Sequence, residues 1–265
     1  DIHLDNHFLF KPKQLNIVLG HDNVGKTYFM EWYFLALALK HELKFCLYMG
    51  ENSTGQVMRD LIQMNYGRPF TDLTHHEIRA GEIKLESLFT FVDNSKLYTP
   101  EQLLSIFEKT DANACFIDPF TGLDRGFNHS EFLNNARLFT NTTGKTLFIS
   151  THPTSESGRS GNVYTKPHEW EGHLKPPMKA HIEGGKPFLN RCDDMIVIHR
   201  LVKHETMKYI TMVDVEKIKD KDTGGQPTSY GEPIMFEYNN GLGFLNYGVD
   251  AIKPYRRIKK NTNEL

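Results

Sequence analysis

Apolar residues in this chain come in short unbroken runs, separated by longer stretches in which they recur every three to four positions. The runs at 14–19, 44–49, 88–92, 114–117 and 146–150 predict strands, and the stretches at 26–41, 54–65, 101–109 and 130–141 predict the helices between them. Strands without polar alternation are buried on both faces. Such strands alternating with helices indicate crossover units and a mostly parallel sheet flanked by helices. The pattern breaks at 153–187, a stretch rich in Gly, Pro, His and Lys with no periodicity. A stretch of that length is expected to be structureless and to be functional or mobile. Beyond it, 195–200, 209–215, 234–238 and 243–247 predict short strands of an antiparallel extension at the C-terminal side. We expect one domain over 1–250 and a basic tail over 251–265 that frays, with Arg256, Arg257, Lys259 and Lys260.

Composition narrows the class rather than the function. A chain of 265 residues can bury one sizeable core, and 39% hydrophobic with 24% charged residues is ordinary for a globular domain. The formal net charge of −2 argues against a bulk polyanion binder, but not against one that concentrates its basic side chains locally. No apolar run reaches the length of a membrane-spanning helix, and no secretory signal pattern opens the chain. The first residue is Asp1 rather than methionine, so we expect a fragment or processed product of something longer. Cys46, Cys115 and Cys192 lie in or beside apolar runs without metal-site spacing, which predicts small buried thiols in a reducing, cytoplasmic compartment. His168, His173 and His181 fall in the long stretch, again without the spacing of a zinc site.

The strongest chemical signal is Gly20-His21-Asp22-Asn23-Val24-Gly25-Lys26-Thr27, a complete GxxxxGK[ST] between a predicted strand and a predicted helix. Its glycines let backbone N–H groups turn inward around phosphates at a helix N-terminus. Lys26 is expected to reach the β- and γ-phosphates and Thr27 to ligate Mg2+. Ala114-Cys115-Phe116-Ile117-Asp118 is an apolar strand closing on a carboxylate, as suits a magnesium-holding aspartate. Glu51 follows the second strand at the same sheet edge, where a carboxylate can activate water or can merely cap a helix. His152 follows the strand 146–150, placed either to sense a γ-phosphate or to serve as a structural histidine. In the long stretch, Arg159, Lys166, Lys175 and Lys179 are interleaved with Tyr164 and Trp170. That mixture suits single-stranded nucleic acid through phosphate contacts and stacking, and equally suits a solvated loop.

Taken together, these motifs resemble the motor domain of hexameric replicative helicases, most of all the Twinkle-like and phage primase-helicase branch and more distantly the DnaB type. The resemblance runs from about Gln14 to Tyr247 and includes Met49-Gly50-Glu51-Asn52, Ile117-Asp118-Pro119-Phe120 and Ser150-Thr151-His152-Pro153. It continues through Phe188-Leu189-Asn190-Arg191, Val197-Ile198-His199-Arg200, Val215-Glu216-Lys217-Ile218-Lys219 and Glu237-Tyr238-Asn239-Asn240-Gly241. The resemblance implies a RecA-like α/β fold, with Glu51 as catalytic base, His152 as γ-phosphate sensor and Asn190 as a further polar sensor. Arg200 and Tyr238 would hold the nucleotide base, and the stretch after His152 would be the DNA loop of a central channel. The family reaches across the subunit interface with a lysine and an arginine one residue apart. The matching positions here are Lys217 and Lys219, so a lysine stands in the finger's place and lacks the planar bidentate fork.

The expected activity is hydrolysis of ATP or a deoxynucleotide with Mg2+ between subunits of a hexameric ring. That ring would move 5′ to 3′ on single-stranded DNA, with a primase module or partner possible in the family. A filament-forming recombinase and a non-catalytic nucleotide-binding regulator are the alternatives.

Overall fold

The computed structural model describes residues 2–124 and 128–256. Nine strands form a single sheet in the order β3-β2-β4-β5-β1-β6-β7-β8-β9. The first six are β1 (Leu15–Leu19), β2 (Phe45–Met49), β3 (Phe89–Phe91), β4 (Ala114–Asp118), β5 (Thr146–Thr151) and β6 (Asp194–His199), and all pair in parallel. β7 (Ile210–Lys217), β8 (Ile234–Tyr238) and β9 (Phe244–Asn246) extend the sheet antiparallel from β6. The expected mostly parallel sheet with a C-terminal antiparallel extension is therefore present, with one correction. The sequence pattern assigns β6 to the extension, yet it pairs in parallel with β1 and only its other edge turns antiparallel. A continuous apolar run cannot reveal that a strand's two neighbours point in opposite directions.

Side chains of alternate strand residues divide into two cores. Val18, Leu47, Phe116, Phe148 and Ile196 face one side, where α1 (Lys26–His41) and α2 (Thr54–Tyr66) cover them. Ile17, Cys46, Ile117, Ile149 and Val197 face the other side, under α4 (Pro100–Glu108) and α5 (His129–Thr143). The near-unbroken apolar strands follow from this double burial. On α1, Phe34 stacks on Phe45 at 4.7 Å and meets Phe116 and Phe148 edge-on at 5.3 and 5.1 Å, fixing the helix over the sheet's centre.

One helix has no counterpart in the apolar pattern: α3 (His75–Glu86) lies between α2 and β3. Its start carries a readable signal. Thr74 Oγ1 accepts from the Glu77 amide at 3.3 Å and the Glu77 carboxylate accepts from the Thr74 amide at 2.9 Å. The stretch 153–187 is not structureless either. It contains short 3-10 turns, and residues 162–175 fold back on themselves through the Val163–Leu174 bridge and a 2.9 Å bond from the Tyr164 amide to the His173 carbonyl. Turns held by backbone bonds leave no hydrophobic period, so the apolar pattern alone could not show them. Of the basic tail, Arg256 is fastened by its Nε to the Met64 carbonyl at 2.9 Å and by Nη1 to Asp250 at 2.6 Å. Arg257, Lys259 and Lys260 lie outside the described residues.

The junction of α5, β1 and β6 rests on Asp193, 1% exposed. Its carboxylate accepts from the Leu15 amide at 2.9 Å, from Lys219 Nζ at 2.9 Å and from both terminal nitrogens of Arg137. Burial pushes this carboxyl up, but the bonds from Arg137, Leu15 and Lys219 outweigh it and hold it below the usual range. A depressed folded pKa contributes stability above the unfolded value, which is lost as pH falls through the folded value. Asp193→Asn should therefore cost about 3 kcal/mol at neutral pH. Urea denaturation should show the gap to the wild type closing below about pH 4.

Candidate active site at the carboxyl edge

Four strands that are consecutive in the sheet, β2-β4-β5-β1, end at one edge and each delivers part of a cleft of about 400 Å3. β1 leads into the loop Gly20–Thr27. Gly20 passes so close to β6 that a Cβ there would collide with the Ile198 carbonyl, and Gly25 turns the loop into α1 with φ of 88°. Lys26, 7% exposed, folds its ammonium back over the loop, donating to the carbonyls of Gly20 at 2.8 Å and His21 at 2.9 Å. Burial lowers its pKa, opposed by the carboxylates of Asp118, Asp22 and Glu51. β4 ends in Asp118, buried, whose Oδ2 accepts from Thr27 Oγ1 at 2.5 Å.

β2 is followed by Glu51, exposed on the cleft wall. Its turn is pinned from two sides. The Gly50 amide donates to the Asp118 carbonyl at 2.7 Å, and Asn94 Nδ2 donates to the carbonyls of Met49 at 2.7 Å and Asn52 at 2.9 Å. β5 runs into His152, whose Nδ1 lies 2.7 Å from Asp22 Oδ1 and 3.3 Å from Lys26 Nζ. One ring nitrogen cannot serve both contacts at once. Protonated, it donates to Asp22; bare, it accepts from Lys26. The cleft thus gathers Asp22, Asn23, Gly25, Lys26, Thr27, Glu51, Asp118 and His152, all expected from the sequence.

Arg200 and Tyr238 stand at the rim. Arg200 Nη2 donates to the Asn23 carbonyl at 3.0 Å, and the Tyr238 ring meets Tyr28 edge-on at 5.7 Å. Asn190, Lys217 and Lys219 do not line the cleft. Asn190 is on α6 (Lys186–Arg191) and borders a separate hollow with Ser130 and Asn134. Lys217 Nζ donates to the carbonyls of Leu189 at 2.7 Å and Cys192 at 2.6 Å, and Lys219 is the partner of Asp193. No motif or spacing points to Asn94 or Glu31. Glu31 also lines the cleft, 4% exposed, with Oε2 lacking any hydrogen-bond partner. Burial first, then the charges of Asp60 and Asp118, push its carboxyl well above the usual range. A hydroxyl beside a buried aspartate, with an unsatisfied carboxylate oxygen near by, is an all-oxygen donor set that fits Mg2+.

The basic loop is stitched to this edge. His21 Nε2 lies 3.0 Å from Ser157 Oγ, whose own proton goes to the Thr154 carbonyl at 2.8 Å, so the imidazole is the donor. His199 Nε2 lies 2.9 Å from the Leu174 carbonyl, and burial pulls this histidine down to about 4, so it stays neutral. Arg159, Lys166 and Lys179 are exposed, with carboxylates no nearer than 3.7 Å, and Lys175 Nζ lies 5.7 Å from the Tyr164 ring centre. Tyr164, His168 and Trp170 cluster with ring centres 4.2 to 5.3 Å apart.

No family model matches this chain. It is 22% identical over 285 residues to the chloroplastic/mitochondrial Twinkle homolog protein of Arabidopsis thaliana, covering 97% of this chain. It spans only 37% of that relative's length. Among solved structures, an isolated ATPase domain of the DnaB-like helicase group superposes with a TM-score of 0.66 at 11% identity, over 88% of this chain and 84% of that one. A DnaB-like replicative helicase, described with its interactions with primase, gives 0.65 at 12% identity, over 89% and 58%. A KaiC-like protein of Pyrococcus horikoshii gives 0.59 at 14% identity, over 89% and 90%.

Because Asn94 holds the turn that carries Glu51 without lining the cleft, its loss should disturb turnover more than binding. Steady-state hydrolysis assays of Asn94→Ala should show kcat reduced by roughly tenfold to a hundredfold with KM little changed.

Proposed function

We propose that this chain, which has the RecA-like fold of DnaB-type helicase ATPase domains, is the motor domain of a ring-shaped replicative helicase. Its substrate is a nucleoside triphosphate, ATP or a deoxynucleotide, and its track is one strand of DNA, travelled 5′ to 3′. The observation that carries the reading is a shared strand end. β5 supplies His152 to the cleft and then continues straight into the basic, aromatic loop.

In this reading Gly20–Thr27 wraps the phosphates and Lys26 leaves the Gly20 and His21 carbonyls to meet the β- and γ-oxygens. Thr27 and Asp118 would hold the magnesium ion, which when bound neutralises charge developing on the phosphates. Glu51 orients the attacking water and takes its proton. Arg200 and Tyr238 flank the base. As Lys26 swings to the phosphate, the Nδ1 of His152 loses one of its two alternative partners, and the root of the loop moves with it. Arg159, Lys166, Lys175 and Lys179 contact DNA phosphates while Tyr164 and Trp170 offer stacking faces. Lys217 and Lys219 would reach the site of a neighbouring subunit in a homohexameric ring, where lysine supplies charge but not a bidentate fork. Their distance from their own chain's cleft supports a role in trans. A primase module or partner belongs to the same reading.

Hydrolysis measured with and without single-stranded DNA tests this directly, together with mass photometry of the assembly. DNA should stimulate a ring-sized species, and Glu51→Gln should lower kcat by at least ~100-fold while nucleotide still binds. An assembled ring that ignored DNA would refute the helicase reading, and an extending filament would favour a recombinase.

Ser157 touches no nucleotide-binding atom in this reading, yet it ties the loop to His21. Ser157→Ala should keep DNA-free hydrolysis near the wild-type rate and lose most of the stimulation by DNA. Full stimulation in the variant would remove this bond from the coupling.

A further inference from the structure

Glu31 lies one turn beyond Thr27 on α1, so the two side chains share a face of the helix. The next residue on that face, Phe34, packs against Phe45 and Phe116. Glu31 is thus fixed on the floor of the cleft, with the phosphate-binding turn on one side and the aromatic core on the other. It is 4% exposed, and its Oε2 has no hydrogen-bond donor within reach. The charged groups that act on it are alike rather than opposite: Asp60 on α2 and Asp118 at the end of β4. Asp60 is itself drawn by Arg59, at 3.3 Å, whose guanidinium is half exposed.

An unpaired carboxylate in such a place costs several kcal/mol unless something compensates it. A purely structural acid would have found a donor for that oxygen in the surrounding backbone or side chains, and this one has not. Its missing donors must come from whatever fills the cleft. Phosphate offers none. The waters around a divalent cation offer strongly polarised O–H groups, and the cation's charge answers the like charges of Asp60 and Asp118. Direct ligation by the group is not the route, because among the described residues no three such side chains converge on one point.

We propose that Glu31 is a positioning residue for the divalent cation, accepting hydrogen bonds from its water shell one turn below Thr27, with Asp60 adding charge behind it. The assignment rests on the cleft being the magnesium–nucleotide site. It adds a deeper carboxylate to the Thr27–Asp118 pair and makes cation affinity depend on α1 as well as β4. Outer-shell partners of this kind commonly change metal affinity by about tenfold or more when removed.

The test uses Mn2+ as a paramagnetic probe, titrated into the full chain and followed by electron paramagnetic resonance, with and without ADP. Glu31→Gln should raise the Mn2+ dissociation constant about tenfold. ADP affinity in excess EDTA and the melting temperature should stay unchanged. Asp60→Asn, on a different helix, should weaken Mn2+ in the same direction by a smaller factor and serves if the first variant folds poorly. Asp118→Asn reports on the site itself. Unchanged Mn2+ affinity in both Glu31→Gln and Asp60→Asn would overturn the role of Glu31 while leaving the cleft assignment intact. Loss of ADP binding in EDTA would reduce Glu31 to a structural residue. A wild-type chain that bound no Mn2+ even with ADP would overturn the magnesium–nucleotide reading and this inference together.

Discussion

The ammonium of Lys26 is buried at the meeting point of β1, β4 and β5, and among the described residues no carboxylate pairs with it. Backbone carbonyls of Gly20 and His21 hold it instead, while the carboxylate of Asp118 is occupied by the hydroxyl of Thr27. Neutral dipoles are weaker partners than a charge, so the ammonium remains available to an arriving polyanion. That arrangement needs close backbone approach at Gly20, a left-handed turn at Gly25 and strands whose carboxyl ends lie level. The parallel sheet supplies the last of these: β2, β4, β5 and β1 end together, and each places one group of the cleft.

The same geometry explains why a single histidine can read the state of the cleft. His152 Nδ1 is within reach of both Lys26 and Asp22, and its protonation decides which contact it makes. The Glu183 amide donates to the His152 carbonyl at 3.0 Å and the Thr154 amide to that of His181 at 2.6 Å, so both ends of the long loop are tied beside the sensor. His21 and His199 add two further ties, the first directly from the phosphate loop. A change at the lysine is thereby presented to the loop through short, packed connections rather than through the bulk of the domain.

Much of this edge is legible in the sequence because the phosphate loop, the strand ending in Asp118 and the strand ending before His152 are local patterns with fixed spacing. What is not legible depends on long-range contact. Glu31 sits in a helix interior, where an acid ordinarily faces solvent, and only the packing of α1 on the sheet shows it to be buried. Asn94 follows a short edge strand and gains its role from carbonyls more than forty positions away. β6 resembles the strands of the antiparallel extension because strand direction is set by its neighbours, not by its composition. α3 is readable in principle from Thr74-His75-His76-Glu77, but its apolar stripe is too thin for periodicity to reveal.

The central claim is that cleft and loop form one energetic unit, and linkage gives it a direct measure. Binding of a fluorescent single-stranded oligonucleotide should be measured with and without a non-hydrolysable triphosphate and Mg2+, and triphosphate binding with and without the oligonucleotide. Two coupled sites must shift each other's affinity by the same factor, and a factor of about 5 or more is expected. An oligonucleotide affinity that is the same with and without triphosphate, in a chain that binds both, would contradict the account.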